Sequence, residues 1–247
     1  MADVEPILTT TGIKRHFGGL KAVDGVDFSL SAGEIRAIIG PNGAGKTTFV
    51  SLLSGRLSPS EGRITFRGQD ITREPAYRRV RLGIAYTFQI TNIYPGLSVG
   101  ENVRIAALGR TQRESSTARE VERHAREALA AVGLGSRIDE RAGTLAYGHQ
   151  RLLEVAMGLA LAPALLILDE PTQGLSDSEI DDFCTLVERI SETSTILLIE
   201  HNMDVVMRLA DRITVLNRGR ILAEGTPDEI RANREVQEAY LGGVADA

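Results

Sequence analysis

The stretch Gly40-Pro-Asn-Gly-Ala-Gly-Lys46-Thr47 constrains this 247-residue chain more than any other. It fits G-x-x-x-x-G-K-[ST], with the apolar run Glu34–Ile39 before it and the helically spaced Thr47–Leu53 behind it. A strand, a glycine loop and a helix in that order let the backbone curl around an anion. The N–H groups of Asn42, Gly43, Ala44, Gly45, Lys46, Thr47 and Thr48 line the curl, and the helix adds its positive end. Lys46 is placed to reach the outer phosphates of a nucleoside triphosphate such as ATP, and the Thr47 hydroxyl to ligate Mg²⁺. Lysine is scarce, with Lys14, Lys21 and Lys46 against 25 arginines, so its presence here answers to more than charge. A compact ammonium fits beside two phosphates where a guanidinium does not.

The rest of the chain supplies a frame for that loop. Ile7, Thr9, Thr11 and Ile13 alternate, as do Val26, Phe28 and Leu30, which predicts antiparallel strands with turns at Gly18-Gly19 and Asp24-Gly25. Arg63–Arg67 reads as another short strand. Val121, Ala125, Ala128, Leu129 and Val132 share one side of a charged stretch from Thr117 to Val132, which is the spacing of an amphipathic helix. Leu152, Val155, Ala156 and Leu159 predict a second helix. Ala164–Leu168 and Thr195–Ile199 are uninterrupted apolar strands, implying burial on both faces in a parallel sheet. Arg212–Leu216 and Ile221–Ala223 read as a late hairpin, and Pro227–Leu241 as a terminal helix.

The first apolar strand of that pair runs into Asp169-Glu170, which puts two carboxylates at the C-terminal edge of a sheet, where ligands of open α/β folds sit. Alone, the pair reads equally as an acidic turn capping the next helix. Beside a phosphate loop, Asp169 reads as holding the Mg²⁺ shell and Glu170 as orienting or deprotonating the attacking water.

Five segments together are similar to the motifs of ATP-binding-cassette ATPases in order and spacing: Gly40–Thr47, Gln89 after Phe88, Leu145-Ala-Tyr-Gly-His-Gln150, Ile167-Leu-Asp-Glu170, and His201. The resemblance spans about residues 7 to 241. It implies an α/β fold: a P-loop NTPase (RecA-like) core of residues 1–89 and 161–247 with an N-terminal antiparallel β subdomain, and an inserted helical subdomain at 90–160. It further implies that Phe17 stacks on adenine and Val23 lies near the ribose. Gln89 would contact Mg²⁺ or the water, and His201 would bond the γ-phosphate. In the family a second protomer, of the same or a different chain, completes the site. Ala146, Tyr147, Gly148 and His149 would therefore act in trans, from a helix expected to begin near Gln150. Taken singly, Phe17 reads as well as a core aromatic, Gln89 as a loop residue and His201 as a helix N-terminal residue.

The motifs depart from the family pattern in places. Ala146 stands where the signature serine is usual, Tyr147 where a glycine is, and Ser176 where an aspartate is. Losing one hydroxyl donor to a phosphate removes about 1.5–3 kcal/mol. The run Ile199-Glu-His-Asn-Met-Asp204, the segment Leu222–Pro227 and Arg15-His-Phe-Gly-Gly19 resemble the ATPases of branched-chain amino-acid importers, or of related amide and urea importers. That implies permease subunits, an external solute-binding protein, and a place on the cytoplasmic face of the membrane. The turn Tyr94-Pro95-Gly96, within Ile90–Glu101, is then the expected docking segment.

Composition fits these readings. Apolar residues make up 43% and charged residues 25%, which argues for a folded globular chain. The net charge of −5 disfavours a nucleic-acid partner, and hence a cassette ATPase acting on DNA or ribosomes. A nucleotide-gated subunit with weak hydrolysis is the other alternative, motivated by Ala146 and Ser176. Cys184, the single cysteine, makes no internal disulfide and fits a reducing compartment. Met1–Pro6 is acidic and does not read as a secretory signal. The apolar stretch Val155–Leu168 is interrupted by Gly158 and Pro163 and is too short to span a bilayer, so a soluble chain attached through partners is expected.

Overall fold

The computed structural model describes residues 5–87, 92–111 and 117–242. The chain divides into two compact units, Met1–Ala76 with Thr195–Ala247, and Tyr77–Ser194.

The first unit opens with β1 (Pro6–Phe17) and β2 (Leu20–Ser31), paired antiparallel across the Gly18-Gly19 turn. Val26, Phe28 and Leu30 alternate inward along β2 as expected, but in β1 the pairing is irregular between Thr10 and Ile13, so Leu8 and Thr10 are buried before it, Ile13 after it, and Thr11 is exposed. β3 (Ile35–Ile39) is buried along its whole length and leads through the glycine loop into α1 (Lys46–Leu53). Phe49 of α1 meets Phe28 edge-to-face with centroids 5.5 Å apart. β4 (Glu61–Phe66) pairs with β1 and β5 (Gln69–Asp70) with β4, giving an antiparallel sheet of order β2-β1-β4-β5.

The second unit follows with α2 (Ala76–Leu82), β6 (Ile84–Tyr86), α3 (Val99–Thr111), α4 (Ala118–Ala131), α5 (Tyr147–Ala160), β7 (Leu165–Asp169) and α6 (Asp177–Ser191). β6 and β7 run parallel, with Tyr86 opposite Ile167. The amphipathic stretch forms α4 as expected. Thr117 and Glu120 close its start with a reciprocal capping box, and Val121, Ala125 and Leu129 are buried. Between α5 and β7 the chain turns at Ala162 and Pro163, so the longest apolar run is a buried helix and a buried strand.

The chain then returns to the first unit with β8 (Thr195–Ile199), α7 (Met203–Leu209), β9 (Arg212–Asn217), β10 (Arg220–Gly225), α8 (Pro227–Ala232) and α9 (Arg234–Gly242). β3 lies between β8 and β9, parallel to both, and β10 folds back antiparallel on β9. Ala37 and Ile39 of β3 and Ile213 and Val215 of β9 form one core with Val206, Ile230 and Val236 from α7, α8 and α9. The uninterrupted apolar strands are thus the parallel ones, buried on both faces.

Two expectations need correction. The terminal helix is two helices, because Asn233 leaves helical geometry (ψ 115°) and its side chain accepts from the Val236 N–H at 3.2 Å. The signature helix begins at Tyr147 rather than near Gln150, so the signature residues form its first turn. Among the described residues, no helix is long and apolar enough to cross a membrane.

Candidate nucleotide site

In the first unit the phosphate loop is fixed by neighbours remote in sequence. Gly40 has φ 152°, and a side chain there would drive a Cβ to 2.1 Å from the Leu216 carbonyl oxygen on β9. Only glycine fits. The Ala44 carbonyl accepts from the Gly219 N–H at 2.9 Å, and the Gly219 carbonyl accepts from the Asp24 N–H at 2.8 Å. The turn between β9 and β10 therefore bridges the loop to β2. Arg220 closes the bridge with an ion pair to Asp24 at 2.7 Å, which holds the Asp24 carboxyl below the usual carboxylate range.

Gly45 is the N-cap of α1 at φ 99°, so the first-turn N–H groups of Lys46, Thr47 and Thr48 have no carbonyl partner inside the helix. Asn42, Gly43 and Thr47 face solvent, whereas Ala44 is buried. The Lys46 ammonium donates to the Gly40 and Pro41 carbonyls at 2.6 and 3.2 Å, which keeps it over the mouth of the loop. The Ala44 N–H, expected to line the curl, instead donates to the Pro41 carbonyl at 3.1 Å, so the first-turn amides and the ammonium are what the loop brings to a polyphosphate.

Phe17, at the end of β1, is 44% exposed and carries the Arg15 guanidinium 4.7 Å from its ring centroid. It is not a core aromatic. Val23 is 1% exposed inside β2, one residue from the Asp24 bridge. His201 follows β8 with its side chain 60% exposed, while its N–H donates to the buried Glu200 carboxylate at 3.0 Å. Asn202, next along, caps α7 by accepting from the Asp204 and Val205 N–H groups, so His201 lies just before that helix.

In the second unit Asp169 ends β7 with 2% exposure, and its Oδ2 accepts from the Tyr86 hydroxyl at 2.6 Å. Glu170 is held at φ 48°, in the left-handed region, where a non-glycine residue is strained. Strain of this kind gathers at functional positions, and here it falls on the candidate base, one residue past the end of β7. Gln89 lies outside the described residues.

The signature segment is also in this unit. Ala146 is the N-cap of α5 and supplies no capping side chain, so no hydroxyl covers the first-turn N–H groups. Tyr147 is 45% exposed; its ring lies against Gly174, and Arg151 sits 5.5 Å from the ring centroid. Gly148 permits a close approach, since a Cβ there would meet Glu179 Oε1 at 2.3 Å. Ser176 starts α6 and donates to Glu179 through its N–H at 2.8 Å and its hydroxyl at 2.7 Å. Those bonds hold the Glu179 carboxyl below its usual range. His149 lines a cavity of about 320 Å³ beside Leu152 and Leu175, and its Nδ1 is buried without a hydrogen-bond partner.

Sequence reasoning missed the Ala44–Gly219–Asp24 bridge and the Tyr86–Asp169 bond. Neither leaves a spacing signal, because each joins distant parts of the chain. From sequence alone the Gly219 turn is a hairpin connection and nothing more.

Comparison with known proteins settles the family. The family described as ABC transporter matches residues 23–173, more than half of the chain. The chain belongs to the ABC transporter family. A second family, described as branched-chain amino acid ATP-binding cassette transporter, matches residues 220–246. The high-affinity branched-chain amino acid transport ATP-binding protein BraF of Pseudomonas aeruginosa is 39% identical over 250 residues, covering 96% of this chain and 98% of that one. LivG of Escherichia coli, described in the same words, is 38% identical over 251 residues with the same coverage. Among solved structures, an ATP-binding cassette of an ABC transporter in its ADP conformation superposes with TM-score 0.86 at 30% identity, covering 96% of this chain and 99% of that one. A nucleotide-free cassette gives 0.85 at 30% identity, covering 95% and 98%. As a member of the ABC family with a cassette fold over nearly its full length, the chain is an ATP-binding ATPase.

Proposed function

We propose that this ABC ATPase drives import of branched-chain amino acids, or of a related solute, through separate permease subunits fed by an external solute-binding protein. The observation that carries the proposal is near full-length similarity to BraF and LivG, joined by the match of residues 220–246 to the branched-chain family. Reconstitution with permeases encoded beside it tests the proposal: leucine uptake into vesicles should require ATP and the solute-binding protein. Uptake that proceeds equally with a nonhydrolysable analogue would overturn it.

In this reading residues 1–89 and 161–247 form the nucleotide core, and 90–160 the helical part carrying the signature. Lys46 and the loop amides hold the β- and γ-phosphates. Glu170 orients and deprotonates the water, His201 bonds the γ-phosphate, and Gln89 reports occupancy. The donors offered to a cation, the Thr47 hydroxyl, the Asp169 carboxylate and the Gln89 amide, are all oxygen ligands suited to Mg²⁺. When bound, Mg²⁺ neutralises charge on the transferring phosphoryl group. Exposed Tyr94, Ile105 and Leu108 in the second unit support a docking surface for the permease. Asn102, buried at the start of α3, holds the Tyr94 backbone through bonds to its N–H and carbonyl.

Phe17→Ala should weaken ATP binding about tenfold, the value of roughly 1–3 kcal/mol for stacking one base on an aromatic ring. Because the ring is nearly half exposed, thermal unfolding should be unchanged. Titration calorimetry showing wild-type affinity would remove Phe17 from the adenine site.

The signature acts in trans in this proposal, across a dimer. In a mixed dimer, Ala146→Ser is placed on the protomer whose own loop carries Lys46→Ala. It should raise turnover at the other protomer's loop by about ten- to a hundredfold, one added hydrogen bond to charge. The same substitution on the protomer with the intact loop should change nothing. A gain only in that second arrangement would contradict the trans geometry.

A further inference from the structure

The bond between Tyr86 and Asp169 goes beyond the motifs. Tyr86 ends β6, and Thr87 continues the pairing with β7 by donating its N–H to the Ile167 carbonyl at 2.9 Å. This register sets the tyrosine ring beside the last residues of β7, and the hydroxyl reaches Oδ2 of Asp169 at 2.6 Å. Phenol to carboxylate at that length is a charge-assisted bond, roughly twice as strong as a neutral one. The carboxylate is almost fully buried, so its orientation is set by protein groups rather than by solvent. Mg²⁺ demands near-ideal octahedral geometry, so a carboxylate fixed in one pose binds it better than a rotating one. Tyr86 also lies three positions before Gln89 in the chain, so the strand tip that orients the carboxylate leads directly into the candidate sensor.

We propose that Tyr86 is a positioning residue for the divalent cation: through the Asp169 carboxylate it tunes metal affinity rather than nucleotide affinity. The inference rests on the reading of Asp169 as a cation ligand. Its test is Mn²⁺ binding to the full chain with a nonhydrolysable ATP analogue, read from the electron paramagnetic resonance signal of free Mn²⁺. Tyr86→Phe should weaken Mn²⁺ binding about tenfold, at the lower end of what losing an outer partner of a metal ligand costs. Affinity for the analogue in EDTA and the thermal midpoint should stay at wild-type values, which a merely structural role for the hydroxyl would not give. Asp169→Asn separates the two readings. If it leaves Mn²⁺ affinity unchanged, Asp169 is not a ligand and both fall. If Asp169→Asn loses Mn²⁺ but Tyr86→Phe binds it as tightly as wild type or more tightly, the tyrosine inference alone is overturned. Should Tyr86→Phe fail to fold, Tyr86→Gln, which retains a donor, and Tyr86→Leu, which does not, replace it. Equal Mn²⁺ affinity in that pair overturns the inference, and weaker binding by the leucine variant supports it.

Discussion

Lys46→Ala is expected to lower ATP affinity or turnover by about a hundredfold, since a charge-assisted bond is worth up to about 3 kcal/mol and each 1.4 kcal/mol is tenfold. The structure gives the reason for choosing this residue above other basic ones. Its ammonium already lies against the Gly40 and Pro41 carbonyls, in the loop that leads into α1. Arginine is no substitute, because the fork of a guanidinium needs room that the closely held loop lacks. Calorimetry with MgATP and a phosphate-release assay check the outcome, with thermal unfolding as the control for folding. Steady-state hydrolysis at the wild-type rate would overturn the assignment of the loop.

Glu170→Gln should act on the chemical step instead. The amide has the shape of the acid and tolerates the same left-handed backbone, so the strand end should keep its conformation. It cannot accept the proton of the attacking water. Turnover is expected to fall by about 10²–10⁴, the usual contribution of a general base, while ATP still binds. With hydrolysis blocked and nucleotide held, two copies should remain associated and elute as an ATP-dependent dimer on size exclusion. A Glu170→Gln protein that turns over at the wild-type rate would remove the residue from the proposed mechanism. Loss of turnover without nucleotide-dependent association would instead count against the face-to-face arrangement.

The parts of this fold that could be read from sequence are those whose determinants are local. The phosphate loop announces itself because glycine spacing, lysine and flanking apolarity occur within a few residues. α4 was legible through its amphipathic spacing, and its start carries the Thr117–Glu120 box. The same kind of signal stands at Ser176–Glu179, which opens α6, and at Ser98–Glu101, which opens α3. The start of α5 is hidden for the opposite reason: Ala146 is a poor cap and marks nothing. Asn233 could have divided the terminal helix, because asparagine is among the preferred capping residues. What no local rule could supply was pairing across the chain. Tyr86 looks like an ordinary strand aromatic until β6 and β7 fall into register, and Gly219 like an ordinary turn glycine until it meets Ala44.

The bridge from Ala44 through Gly219 to Asp24 has a consequence for the order of events at the ribosome. The loop leaves the exit tunnel early, yet the turn that braces it is translated only after the whole of the second unit. A nascent chain stopped before Arg212 lacks the strand whose Leu216 carbonyl packs on Gly40 as well as the turn itself, so it holds the anion cradle unsupported. The braced form of the loop is therefore among the last local structures that the growing chain can complete.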